Sequence, residues 1–221
     1  MIKLDIVSGF KGSGKTTLIE LLEDLLWRDE RLVILQNEFG KKTLSPRYTH
    51  HFLEQISGGC ICCTSQILLQ QCIYQLIESH HPQRIVIEVP ETASLSDIGF
   101  SLTENLKDIC QLDHMLYVMD VPSFQKRLQL SEGFIRQQIR KSSLLFLHHL
   151  ESALPTEKQA LLEFIHTYSP HSFISSRSWG ELQKQEVCHL YEQSRIKEAV
   201  YTPMIRMRQP APLFTEYSDI F

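Results

Sequence analysis

The chain has 221 residues, 43% hydrophobic and 22% charged, enough apolar content for one sizeable core. Its 22 basic and 26 acidic residues leave a formal net charge of −4, which argues against a dedicated nucleic-acid or anionic-membrane surface. No apolar run approaches the roughly 20 residues that span a bilayer, and the first residues lack the layout of a secretory leader, so a cytoplasmic protein is expected.

Residues 3–8 open as a strand, Ile2-Lys3-Leu4-Asp5-Ile6-Val7 alternating and then running apolar. Gly9-Phe10-Lys11-Gly12-Ser13-Gly14-Lys15-Thr16 follows, the complete pattern G-x-x-x-x-G-K-[ST]. Its glycines let backbone N–H groups turn toward phosphate oxygens; Lys15 brings a charge to the β/γ-phosphates, and the Thr16 hydroxyl is a Mg²⁺ ligand. Lys11 adds a second charge within the loop. Leu18, Leu21, Leu22, Leu25 and Leu26 then mark one face of a helix over 15–29, so bound phosphates lie at a helix N-terminus. The nucleotide set read here is Gly9, Lys11, Gly12, Ser13, Gly14, Lys15, Thr16 and Thr17.

A strand over 31–37 leads to Asn37-Glu38, and Gly58-Gly59-Cys60-Ile61-Cys62-Cys63 comes next. Three thiols in four residues suit Zn²⁺ or another thiophilic transition metal. A closed structural zinc site takes four ligands, so three leave an open position or recruit Glu38, a histidine such as His50 or His51, or a second subunit in a homodimer. The bland alternative is a run of small buried residues behind a glycine turn. Cys72, Cys110 and Cys188 fall in helical patterns and read as core fillers.

Further helices are predicted over 65–79, 94–109, 132–141, 156–168 and 178–194, and further strands over 84–89, 114–121, 143–148 and 172–175. The alternation predicts an α/β fold of the P-loop NTPase type, a mostly parallel central sheet flanked by helices, with residues 1–199 as one nucleotide-binding domain. Ligands on such sheets bind beyond the carboxyl ends of the strands, where Glu88, Asp120 and His148-His149 also fall. Residues 200–221 form a tail in which Pro203, Pro210 and Pro212 interleave with Phe214, Tyr217 and Phe221.

The phosphate loop, Asn37-Glu38-Phe39-Gly40 and Gly59-Cys60-Ile61-Cys62-Cys63, in that order, resemble the CobW-like P-loop GTPases, relatives of the urease and hydrogenase nickel-accessory GTPases. The resemblance covers roughly residues 1–195 and implies binding of GTP (or ATP) and Mg²⁺, with zinc or a similar metal on Cys60, Cys62 and Cys63, and Glu38 close to the metal region. It further implies delivery of metal, or of a metal-containing cofactor, to a client metalloprotein or cofactor-synthesis enzyme. Members of that family carry a second, C-terminal domain, and the expectation here is the first domain with only the tail.

Two departures bear on activity. The family's Glu-x-x-Gly switch reads Glu88-Val89-Pro90-Glu91, which keeps a carboxylate able to hold a Mg²⁺-bound water but puts a second one where a γ-phosphate would be sensed. The guanine-reading Asn-Lys-x-Asp reads His148-His149-Leu150-Glu151. There Glu151 keeps the carboxylate, His149 can cover a base, and a loop-to-loop hydrogen bond of the asparagine is expected to be lost. Lys15, Thr16 and Glu88 are the candidate catalytic residues of an NTP hydrolase. The competing readings are a non-hydrolysing nucleotide-binding adapter and an ATP-dependent small-molecule phosphotransferase.

Overall fold

The computed structural model describes residues 1–36, 44, 47–55 and 66–196. The cysteine segment, Asn37-Glu38-Phe39-Gly40 and the tail lie outside the described residues. In chain order the elements are β1 (Ile2–Gly9), α1 (Lys15–Leu22), β2 (Leu32–Gln36), β3 (His51–Gln55), α2 (Gln66–His80), β4 (Arg84–Glu88) and α3 (Leu95–Leu106). They continue with β5 (Cys110–Asp120), α4 (Val121–Lys141), β6 (Leu144–His148), α5 (Pro155–Tyr168), β7 (Phe173–Ser175) and α6 (Lys184–Gln193). The strands form one sheet in the order β3-β2-β4-β1-β5-β6-β7, and every described pairing is parallel.

Strand side chains alternate between two apolar cores. Leu4, Ile6, Val33, Leu35, Ile85, Ile87, Tyr117 and Leu145 face the layer carrying α2, α3, α4 and α5. Val7, Leu32, Ile34, Val86, Leu116, Val118 and Phe146 face the layer of α1 and α6. Burial on both faces is why these strands read as continuous apolar runs.

Three differences from the sequence reading have local causes. The strand β3 was not expected; its first residue, His51, is fully buried, with Nδ1 2.8 Å from Glu23 Oε1. That contact meets α1 where it passes into a π-helical turn, Glu23–Trp27. His51 therefore stands at the end of β3 opposite to where the chain leaves for Cys60, while His50 Nε2 lies 2.6 Å from Arg28 O. Next, α4 begins at Val121 rather than Glu132, since Pro122 occupies its first turn and a non-helical Ser131 (φ −149°) divides it. Finally, β5 begins at Cys110 because a register shift between Leu4 and Asp5 inserts an extra residue opposite β1. Cys110 thus opens a strand rather than lying in a helix, and its burial pushes the thiol up to about 11.

That irregularity accommodates both Asp113 and His114 in the interior. His114 Nδ1 lies 2.9 Å from Asp5 Oδ1, and its Nε2 lies 2.6 Å from the Tyr191 carbonyl on α6. The Arg84 guanidinium pairs with Asp5, donates to Tyr191 Oη at 3.1 Å and to Glu30 Oε2 at 2.7 Å, and sits over the Trp27 and Tyr191 rings. This buried network ties α6 and the end of the α1 segment to the amino half of the sheet, away from the phosphate loop.

Candidate functional site

The carboxyl end of β1 lies between β4 and β5, and the chain turns there through residues 9–14 into α1. The turn is possible because Gly9 (φ +148°), Gly12 (φ +80°) and Gly14 (φ +100°) adopt backbone conformations that other residues rarely accept. At Gly9 a Cβ would also stand 2.4 Å from the Val118 carbonyl oxygen, a backbone atom that cannot swing aside. Gly14 precedes the first residue of α1, so the positive end of the helix faces the loop.

Lys15 is buried, and its ammonium donates to the carbonyls of Gly9 (3.0 Å) and Phe10 (3.3 Å), which hold it across the loop. Ser13 is buried as well, and its Oγ has no hydrogen-bond partner among the described residues. A wound loop with a fixed ammonium, an uncommitted buried hydroxyl and a helix N-terminus fits a phosphate group.

Thr16 Oγ1 lies 3.1 and 3.3 Å from the two carboxylate oxygens of Glu88, the last residue of β4. A hydroxyl that donates its proton to Glu88 keeps its lone pairs for a cation, so the pair fits the Mg²⁺ of a bound nucleotide. Glu88 Oε2 also accepts from Gln36 Nε2 at 2.9 Å, and Gln36 is the last residue of β2, immediately before Asn37-Glu38. The three side chains make a continuous path from the phosphate loop to the residue that precedes Asn37-Glu38 in the chain.

Glu91 lies against the loop itself. Its Oε2 accepts from the Lys11 backbone N–H at 2.8 Å, and Arg127 Nη1 stands 3.9 Å from the same oxygen. Arg127 also donates from Nη2 to the Lys11 carbonyl at 3.2 Å and covers the Phe10 ring at 4.3 Å. A carboxylate thus occupies a loop N–H. Arg127 escaped the sequence reading because the first half of α4 was not expected, and no motif marks it.

On the other side of the loop, β6 ends in His148 and His149. His148 stacks on Trp179 (centroids 4.7 Å apart), and its Nδ1 would stand 3.4 Å from a Cβ at Gly14. Partial burial, then the His149 ring at 3.6 Å, holds the His148 pKa below the usual imidazole value. His149 is half-exposed in the left-handed region (φ +59°), with Nδ1 3.1 Å from Asp120 Oδ1. Burial would raise the Asp120 carboxyl, but His149, Ser123 and His148 together outweigh it and hold the group below its ordinary value. Glu151 lies exposed on the short turn Leu150–Ser152. Trp179, not singled out from the sequence, lies in a separate short turn, Trp179–Glu181, and its Nε1 would be 3.2 Å from a Cβ at Gly14.

A strand, a glycine phosphate loop and a helix at the carboxyl edge of a parallel sheet define a P-loop nucleotide-binding domain. The family described as CobW/HypB/UreG, nucleotide-binding domain, matches over residues 3–175, and the chain belongs to this family. It is 27% identical over 167 residues to the zinc chaperone YeiR of Escherichia coli, covering 73% of this chain and 50% of YeiR. It is 28% identical over 156 residues to zinc-regulated GTPase metalloprotein activator 1 of Dictyostelium discoideum, covering 60% and 32%. The chain thus spans half or less of the length of these curated relatives. The Zn(II)-bound YjiA GTPase from E. coli shares the fold, with a TM-score of 0.62 and 17% identity over 82% of this chain and 59% of YjiA. Among the described residues no helix is long and apolar enough to cross a membrane.

Proposed function

We propose that this chain is the nucleotide-binding domain of a metal-handling GTPase. GTP with Mg²⁺ occupies the loop formed by Gly9, Lys11, Gly12, Ser13, Gly14, Lys15, Thr16 and Thr17, with His149 and Glu151 at the base. Cys60, Cys62 and Cys63, with Glu38, hold zinc or a similar transition metal for a client metalloprotein or cofactor-synthesis enzyme. The observation that carries this reading is the hydrogen-bonded path Thr16–Glu88–Gln36. A change at the Thr16 hydroxyl redistributes the hydrogen bonds of Glu88, and Gln36 passes the change to the backbone that leads into Glu38. Lys15 orients the phosphates, Thr16 presents its lone pairs to the cation, and Glu88 receives the hydroxyl proton and fixes the Gln36 amide. The names of the zinc-chaperone relatives support zinc as the first metal to test. The test is competition between GTP and ATP for a fluorescent GTP analogue with Mg²⁺: GTP preference supports the reading, and ATP preference moves it toward a phosphotransferase.

One observation favours a second reading, the non-hydrolysing adapter. Glu91 already occupies the Lys11 N–H, and its charge opposes an incoming γ-phosphate. Glu91→Gly is therefore expected to tighten triphosphate binding about tenfold, equal to about 1.4 kcal/mol, with little change for the diphosphate. Paired titrations with GTP and GDP analogues measure this. Multiple turnovers of GTP by the natural chain, lost in Lys15→Ala, dispose of the adapter; binding without turnover above that variant supports it.

A further inference from the structure

We propose that Asp120, His148 and His149 form a metal site of their own, distinct from the cysteine segment, for a divalent transition-metal ion such as zinc or nickel. Each offers one donor atom, and the three atoms lie within 4.8 Å of one another at the carboxyl ends of β5 and β6. Two imidazoles and one carboxylate are a donor set that first-row divalent ions favour over Mg²⁺ or Ca²⁺. The half-exposed His149 leaves the remaining coordination positions open to water or to a ligand.

Four observations separate this cluster from a chance surface pair. Asp120 is the residue before α4 and makes no side-chain bond to cap that helix; it faces His149 instead. His149 holds a left-handed backbone, a strained conformation for a non-glycine residue and a feature found at ligand sites. His148 is fixed by stacking on Trp179, so its donor does not have to be ordered when an ion arrives. One His148 ring nitrogen, Nδ1, is buried and has no hydrogen-bond partner among the described residues.

The position gives the site a consequence. His148 packs beside Gly14, its Nδ1 3.4 Å from where a Cβ there would stand, so an ion that orients His148 acts on the phosphate loop directly. Metal at this corner and nucleotide in the loop then alter each other's affinity by the same factor.

The test is a Co²⁺ titration, read by absorption, of the whole chain in which Cys60, Cys62 and Cys63 are serine. The expected result is one Co²⁺ per chain with micromolar affinity and weak d–d bands free of thiolate charge transfer. Asp120→Asn and His149→Gln should each weaken binding about tenfold or more, the range seen when a metal site loses a supporting group. His80→Gln, at the end of α2 where the ring stacks on Phe52 of the edge strand β3, should leave it unchanged. If the serine chain does not fold, the same titration on the natural chain decides: His149→Gln must remove the thiolate-free bands and spare any thiolate bands. Absence of thiolate-free binding, binding at millimolar Co²⁺ alone, or equal affinity in His149→Gln overturns the proposal.

Discussion

Lys15→Ala is expected to lower affinity for a nucleoside triphosphate about a hundredfold while the chain stays folded. The Lys15 ammonium is buried and pinned by two carbonyls of its own loop, Gly9 O and Phe10 O, so it meets the phosphates without first being ordered. Charge-assisted hydrogen bonds contribute about 1.5–3 kcal/mol each. Losing the cation that bridges two phosphates then removes roughly 3 kcal/mol, or about two powers of ten in Kd. The side chain lies at the loop rather than in either apolar core, so thermal unfolding should shift little. Titration with a fluorescent triphosphate analogue measures the loss, and an unchanged Kd would mean that the phosphates bind elsewhere.

Arg84→Met is expected to destabilise the fold by about 3–5 kcal/mol, the cost of leaving one half of a buried ion pair behind. Here the carboxylate left behind is the buried Asp5, since Asp113 keeps Arg195, whose Nε lies 2.7 Å from its Oδ1. A typical domain is stable by only about 5–15 kcal/mol, so the variant should unfold at a much lower urea midpoint. The same network sets an acid limit. Burial would raise the Asp5 carboxyl, but the Arg84 charge and the His114 hydrogen bond outweigh it and hold the pKa below its ordinary value. A group depressed in the folded state contributes its full stability above its unfolded pKa of about 3.9 and loses it as pH falls through the lower, folded value. The Asp5 contribution should therefore be constant from neutral pH down to about 4 and disappear below that. Urea midpoints recorded against pH for the natural chain and Asp5→Asn test this: the two curves should converge at acid pH.

The phosphate-loop edge of the molecule was legible in the sequence for a physical reason. A phosphate loop needs glycines where φ is positive and a lysine at the helix start, and those demands are written in consecutive residues. Strands buried on both faces were legible as unbroken apolar runs such as Ile85-Val86-Ile87. Features held by distant partners were not. His51 reads as a loop histidine until Glu23 is seen 28 positions earlier in the chain. Asp113 and His114 read as polar residues at a strand end until the irregular pairing with β1 places them among Asp5, Arg84 and Tyr191. Arg127 and Trp179 approach the phosphate loop from more than a hundred positions away, with no local pattern to announce them.

In the proposed function, nucleotide and metal share one equilibrium through Thr16, Glu88 and Gln36. The most direct measurement is zinc affinity, by competition with a chromophoric chelator, with and without saturating GTP and Mg²⁺, for the natural chain and for Gln36→Leu. Nucleotide is expected to change the zinc Kd about fivefold or more, the range of ordinary coupling free energies. Gln36→Leu is expected to shrink the change while both ligands still bind. The same zinc affinity with and without nucleotide would contradict it.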